Sequence, residues 1–182
     1  LADALRDPLT GVLNRRGFEK EAAATIRSNG VGAVLYLDLN HFKSINDSFG
    51  HYIGDIVLKD FAEIIRRSIR EIDYGSRFGG EEFVVVLPNT DLKGGRDVAE
   101  AMHRTVRDMR LRHKGAYRRD HLTISAGVAA IIPGRGDDPA GLLEKADKAL
   151  YRAKRAGRDC VKQDNEAYGT TGVLQALNSA LH

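Results

Sequence analysis

Three acidic residues stand where carboxylates are costly. Asp38 nearly closes the apolar run VGAVLYLDLN at 31–40, and Glu81 and Glu82 follow a doubled glycine in RFGGEEFVVVLP at 77–88. A buried lone carboxylate is strongly unfavourable unless it is paired or bound to metal. Adjacent glutamates repel and raise each other's pKa. A divalent cation shared with Asp38 removes both costs. Hard oxygen donors select Mg2+ or Mn2+, and Mg2+ usually arrives with nucleotide phosphates. The pattern points to metal-assisted chemistry on a triphosphate. Gly79 and Gly80 add to it, because a backbone without Cβ atoms lets a bulky ligand approach closely. Spacing alone also allows a plainer arrangement, with Asp38 capping a loop and the glutamates as solvated turn residues. The chain has no G-x-x-x-x-G-K-[ST] loop and no H-E-x-x-H helix, which argues against a P-loop or a zincin site. The six histidines are scattered, and His51 reads as a helix start.

Elements that can position these groups alternate along the chain. NRRGFEKEAAATIRSNG repeats Phe18, Ala22 and Ile26 on one helix face, with Asn29-Gly30 as its stop. The run to Asp38 is apolar on both faces and predicts a central strand. YIGDIVLKDFAEIIRRSIR carries the stripe Ile53, Val57, Phe61, Ile65 and Ile69, with Arg66, Arg67 and Arg70 near its end. YGSRF and EEFVVVLP predict a hairpin whose Gly79-Gly80 linker suits a primed turn. DVAEAMHRTVRDMRLR predicts a helix with Val98, Met102, Thr105 and Met109 on one side. HLTISAGVAAI alternates Leu122, Ile124, Ala126 and Val128 with Thr123, Ser125 and Gly127, which predicts a strand with a more polar second face. In DDPAGLLEKADKALYRAKRAG, Asp138 can cap, Pro139 suits the first turn and Gly157 closes the helix. DCVKQ predicts a short last strand. Strands interleaved with helices, plus one hairpin, predict an α/β fold with a mixed central sheet flanked by helices.

The chain's 182 residues, 42% of them hydrophobic, suffice for one core. The expected domain is 1–164. The tail 165–182, with its amphipathic GVLQALNSALH, reads as a linker to a further domain, and a start at Leu1 reads as a piece cut from a longer protein. No run approaches the ~20 apolar residues of a membrane span. A lone Cys160 excludes an internal disulfide and suits a reducing cytoplasm. A net charge of +3 suits a phosphate-bearing partner. The absence of Trp and the scarcity of aromatics leave no stacking platform for nucleic acid.

DPLTGVLNRRGF, LDLNHFKSINDSFGHYIGD, RFGGEEFVVVLP, LTISAGVA and ADKALYRAKRAGRD occur in the order found in GGDEF domains. From about Asp7 to about Cys160 the chain resembles this family of diguanylate cyclases. The resemblance implies a fold similar to the nucleotidyl cyclases and the polymerase palm. It implies condensation of two GTP into cyclic di-GMP, with release of two pyrophosphates, by a homodimer of facing domains in the cytoplasm, within a larger sensor in some members. By position, Asp38, the Leu39 carbonyl and Glu81 would bind two Mg2+ or Mn2+ ions per active site. Glu82 would accept the proton of the attacking 3′-hydroxyl, and Arg77 would lie near the transferring phosphate. Asn46 and Asp55 would read guanine. The backbone of Phe42 and Lys43, with Lys154 and Arg158, would hold phosphates. A buried carboxylate facing the two adjacent guanine donors would reject adenine. The segment Arg70–Asp73 matches the RxxD pattern through which members bind their product and are inhibited, with Arg104 or Arg107 available as a second arginine. Two positions depart from the pattern: Asn40 stands in place of the frequent aspartate and Asp159 in place of the usual Asn. The alternative to an active cyclase is a silent domain that binds cyclic di-GMP or GTP and passes a signal onward.

Overall fold

The computed structural model describes residues 3–28, 30, 32–108, 122–131 and 141–164. Five helices and five strands carry the fold. They are α1 (Arg15–Arg27), β1 (Ala33–Leu39), α2 (Phe42–Phe49), α3 (His51–Ser68), β2 (Tyr74–Arg77), β3 (Glu82–Leu87), α4 (Leu92–Asp108), β4 (Ile124–Ala130), α5 (Leu142–Arg155) and β5 (Val161–Gln163). The sheet order is β2-β3-β1-β4-β5, so β1 is central as its two-sided apolar run predicts. Every pairing is antiparallel except β4 with β5, which makes the sheet mixed.

Alternation along β1 sends its side chains to two cores. Leu35, Leu37 and Leu39 join Phe83, Val85 and Leu87 against Val57, Phe61 and Ile65 of α3 and Ala99, Met102 and Val106 of α4. Phe61 meets Phe83 edge-on at 4.9 Å. Each such buried ring contributes roughly 1.5–3 kcal/mol. On the opposite face Val34, Val84 and Val86 pack against Phe18 of α1 and Leu142 and Ala146 of α5. Asp38, two residues beyond Tyr36, points to this second face.

Several expectations are corrected here. β4 has no polar face, because all seven of its residues are buried. A Cβ on Gly127 would sit 2.0 Å from the Ala146 carbonyl oxygen and 2.3 Å from the Leu150 nitrogen, so the α5 backbone lies directly on the strand. α1 ends at Arg27 with Ser28 as its cap, and the Gly30 amide closes it onto the Thr25 carbonyl at 3.1 Å as the Asn29-Gly30 stop predicts, but Ile26 is exposed rather than on a buried face. α4 begins at Leu92, five residues before Asp97. It buries Leu92, Gly95, Ala99, Met102, His103 and Val106 and leaves Thr105 exposed. The hairpin turn spans 78–81 rather than two residues, and neither glycine takes a left-handed φ, so the turn is not a primed one. Helix α2 went unread, although Phe42, Ile45 and Phe49 recur at i, i+3 and i+7. Asp138, Pro139, Met109 and the tail from Asn165 lie outside the described residues.

Candidate active site

The carboxylates gather at one end of the central strands. Register places Asp38 directly opposite Glu82 across the β1–β3 pair. Glu81 sits in the turn just before β3, and its carbonyl oxygen accepts the Leu39 amide at 3.2 Å. That bond joins the end of β1 to the acidic turn. Asp38 is 7% exposed. Burial pushes its pKa up, Lys154 and Arg158 pull it down, and Glu82 raises it again. Burial likewise raises Glu81, helped by Asp38 and then Glu82. Asp38 and Glu81 thus both feel the charge of Glu82. Lys154 of α5 supplies the balancing charge, with Nζ ion-paired to Asp38 Oδ2. Glu82 Oε2 accepts the Tyr36 hydroxyl at 3.0 Å. Burial, then Glu82 itself, raises the Tyr36 pKa. Tyr36 escaped the sequence reading because it stood inside an apolar run.

Among the described residues, no three acidic, His or Cys side chains converge into a ready metal cage. The donor set still suits a hard divalent ion. Its atoms are oxygens, and burial with mutual repulsion disfavours the charges of Asp38 and Glu81, a cost that a cation relieves.

A second group of predicted residues lies on α2 and α3. His41 takes a left-handed φ of 57° and opens α2, so the amides of Phe42 and Lys43 fall in its first turn. Such amides carry no intrahelical partner and favour anions. Asn46 faces Gly54 of α3. A Cβ on Gly54 would lie 1.8 Å from Asn46 Oδ1. That oxygen is the one buried side-chain polar atom without a hydrogen-bond partner among the described residues. An orphaned buried acceptor is costly and marks a place where a donor belongs. Asp55 follows Gly54 but is exposed, which corrects the expectation of a buried carboxylate there. The buried acceptor at this spot is the amide. His51 begins α3 one helical turn before Asp55, on the same side.

Arg77 is engaged by the acidic turn's carbonyls and by Asp7. Its Nε donates to the Gly79 and Gly80 carbonyls at 3.2 and 3.1 Å, Nη2 to Gly80 at 2.9 Å, and Nη1 to Asp7 at 3.2 Å. It braces the turn that presents Glu81. Arg158 lies beyond the end of α5 with a φ of 65°, exposed, and close enough for its charge to lower the Asp38 pKa. Arg70 and Asp73 form a tight unit: the Arg70 amide and Nε donate to Asp73 Oδ2 at 2.7 and 3.0 Å, and Nη2 donates to Oδ1 at 2.8 Å. Nη2 also donates to the Pro88 carbonyl and Thr90 Oγ1, each at 2.9 Å. Asp73 is buried while the Arg70 side chain stays 54% exposed. Arg104 is exposed on α4, and Arg107 leans toward Asp159 at 3.9 Å.

The chain is similar to known proteins over most of its length. Residues 4–160 match the family model described as "Diguanylate cyclase, GGDEF domain". Diguanylate cyclase DgcP of Pseudomonas aeruginosa is 44% identical over 160 residues, 86% of this chain and 23% of that protein. Response regulator PleD of Caulobacter vibrioides is 39% identical over 162 residues, 87% of this chain and 36% of its own. The chain therefore spans about a quarter to a third of these relatives. Among solved structures, the GGDEF domain of DgcB from Caulobacter crescentus, in complex with c-di-GMP, superposes with a TM-score of 0.80. Its identity is 31%, over 90% of this chain and 95% of that one. The active GGEEF domain of a Vibrio cholerae diguanylate cyclase superposes with a TM-score of 0.69 at 30% identity, over 81% of this chain and 91% of that one.

Proposed function

The chain belongs to the GGDEF family of diguanylate cyclases, and from that membership we propose that it condenses two GTP molecules into cyclic di-GMP as a homodimer. The observation that carries this reading is the electrostatic coupling of Asp38, Glu81 and Glu82 at the end of β1 and β3, beside Lys154.

Each domain binds one nucleotide. Asn46 Oδ1 accepts a guanine donor, and Asp55 accepts the neighbouring one. The amides of Phe42 and Lys43 hold phosphate oxygens at the α2 N-terminus. Lys154 and Arg158 neutralise the triphosphate. Asp38, the Leu39 carbonyl and Glu81 would hold the divalent ions, whose chemistry is to stabilise charge on the attacking and leaving oxygens. Glu82 takes the proton of the 3′-hydroxyl, with Tyr36 fixing its orientation. The 3′-oxygen forms a bond to the α-phosphorus of the facing nucleotide as the bond to pyrophosphate breaks. Repetition in the opposite sense closes the ring and releases the second pyrophosphate. Two bonds of opposite sense require two domains about a two-fold axis. Arg77 acts on this chemistry through the turn it braces. Arg70, held outward by Asp73, forms the inhibitory product site. A GTP- and Mg2+-rich compartment, the cytoplasm, suits these needs.

The test is incubation of the chain with GTP and Mg2+ over a wide range of protein concentration. We expect cyclic di-GMP from the wild type, at a specific rate that rises with concentration. Glu82→Gln should lower it by about 10²–10⁴-fold. Cyclic di-GMP bound without any turnover would instead select a silent binding domain, a reading that draws on the Lys154 ion pair already satisfying Asp38.

A further inference from the structure

We propose that the part-buried His103–Asp159 pair is a positioning clamp that aims Arg158 at the phosphates of bound GTP, an inference that rests on the phosphate role proposed above for Arg158. The loop joining α5 to β5 has an unusual backbone. Gly157, Arg158 and Asp159 take φ of 106°, 65° and 50° in succession. Glycine accepts the left-handed region freely, whereas each other residue loses roughly 1–2 kcal/mol there. Two such residues in a row must be held by their surroundings.

Backbone bonds supply part of the hold. The amides of Gly157 and Arg158 donate to the Lys154 and Ala153 carbonyls at 3.3 and 3.0 Å, and the Cys160 carbonyl accepts from Ala126 at 3.0 Å. They fix the two ends of the loop. Its middle is fixed by a side chain: Asp159 Oδ1 meets His103 Nε2 at 2.7 Å. A carboxylate only accepts, so Nε2 carries the proton and donates. His103 is 8% exposed. It reaches the loop from α4, whose apolar residues cover the opposite face of the sheet from α5. Arg107, one turn further along α4, adds its charge to the other oxygen, Oδ2, at 3.9 Å. Asp159 is thus gripped from across the edge of the sheet, and its neighbour Arg158 is left exposed, four residues after the Lys154 that pairs with Asp38, with its charge within reach of Asp38.

A clamp differs from a merely structural pair in its coupling to Arg158. Binding of a non-hydrolysable GTP analogue with Mg2+ is measured by calorimetry on the full chain, with unfolding midpoints in parallel. The variants are His103→Ala, His103→Gln, Asp159→Ala, Arg158→Ala and the double variants with Arg158→Ala. We expect His103→Ala and Asp159→Ala, each of which removes the bond, to weaken binding about tenfold, ~1.4 kcal/mol. His103→Gln keeps a side-chain N–H donor and should recover most of that loss. In the Arg158→Ala background neither change should weaken binding further. Wild-type affinity in both single variants overturns the clamp, as does an equal loss with and without Arg158. Should His103→Ala fail to fold, Asp159→Ala, which removes the same hydrogen bond from the loop side, carries the same comparison. An analogue that does not bind the wild type overturns the phosphate role of the site itself, and the clamp with it.

Discussion

Glu82 is held by a phenol. The Tyr36 hydroxyl lies 3.0 Å from its carboxylate, and the Tyr36 ring meets Phe78 edge-on at 6.1 Å, with Arg15 over the other ring at 5.0 Å. Tyr36→Phe keeps the ring and deletes one hydrogen bond to a charged group, an interaction of about 1.5–3 kcal/mol. We expect cyclic di-GMP formation to slow by roughly tenfold or more, with the unfolding midpoint lowered by a few degrees at most, measured by initial rates well below that midpoint and by thermal melts. Glu81 carries the opposite kind of signature. Its pKa is raised, so the unfolded chain ionises first as pH climbs, and stability falls between the ordinary glutamate value and the raised one. Glu81→Gln should therefore match the wild type in acid and exceed it at neutral pH. The gain should be under about 2 °C, since solvent screens this partly exposed group. Melts across that pH range check the sign, and a wild type more stable at neutral pH reverses it. Asn40 shows why one departure from the family pattern is harmless to the fold. Its amide donates to Thr123 Oγ1 and accepts from Ser125 Oγ, each at 2.9 Å, tying the ends of β1 and β4 together.

Two glycines set the spacing between elements, and each lets a backbone approach that a side chain would forbid. Gly127 lets α5 rest on β4, which brings Lys154 to Asp38. Gly127→Ala should cost about 1–3 kcal/mol through overpacking against backbone atoms, lowering the melting midpoint by several degrees and turnover with it. Gly54→Ala drives a Cβ onto Asn46 Oδ1, and Phe42 Cζ lies only 3.2 Å away. Alanine is the better helix former by up to ~1 kcal/mol, so the net stability change should be smaller than at Gly127. GTP affinity should nonetheless fall about tenfold, because Asn46 must leave its position. Calorimetry with a GTP analogue and melts on the two variants separate these effects. The N-terminal turn is a third device. Burial would raise the Asp7 pKa, but hydrogen bonds from Thr10 and the charge of Arg77 outweigh it and hold the group below its ordinary value. Its contribution is therefore present above the ordinary aspartate range and lost as pH falls.

Across the whole molecule, the carboxylates lie at the end of β1 and β3, and the Arg70–Asp73 unit stands at the start of β2, where it grips Pro88 and Thr90 beyond β3. Arg70→Ala should remove product inhibition while leaving the initial rate within about twofold, checked by progress curves with added cyclic di-GMP. Inhibition unchanged in that variant removes the site from this motif. Among the described residues no helix is long and apolar enough to cross a membrane. Much of this arrangement was legible in the chain. The two-sided apolar run of β1, the stripe of α3 and the position of Asp38, Glu81 and Glu82 follow from local period and type, which neighbours in sequence determine. What they face does not. Tyr36 on Glu82, Lys154 on Asp38, Arg77 on the turn carbonyls and His103 on Asp159 join residues that packing alone brings together. The buried second face of β4 was hidden for the same reason, since Gly127 reads as polar until a helix lies on it. Sequence by itself determined most of the elements, though not α2 or the bounds of α4, together with the acidic residues and the family, because those depend on residue order and local physics. Only the tertiary structure decided which charge meets which, since a side chain's partner is set by contacts between elements distant along the chain.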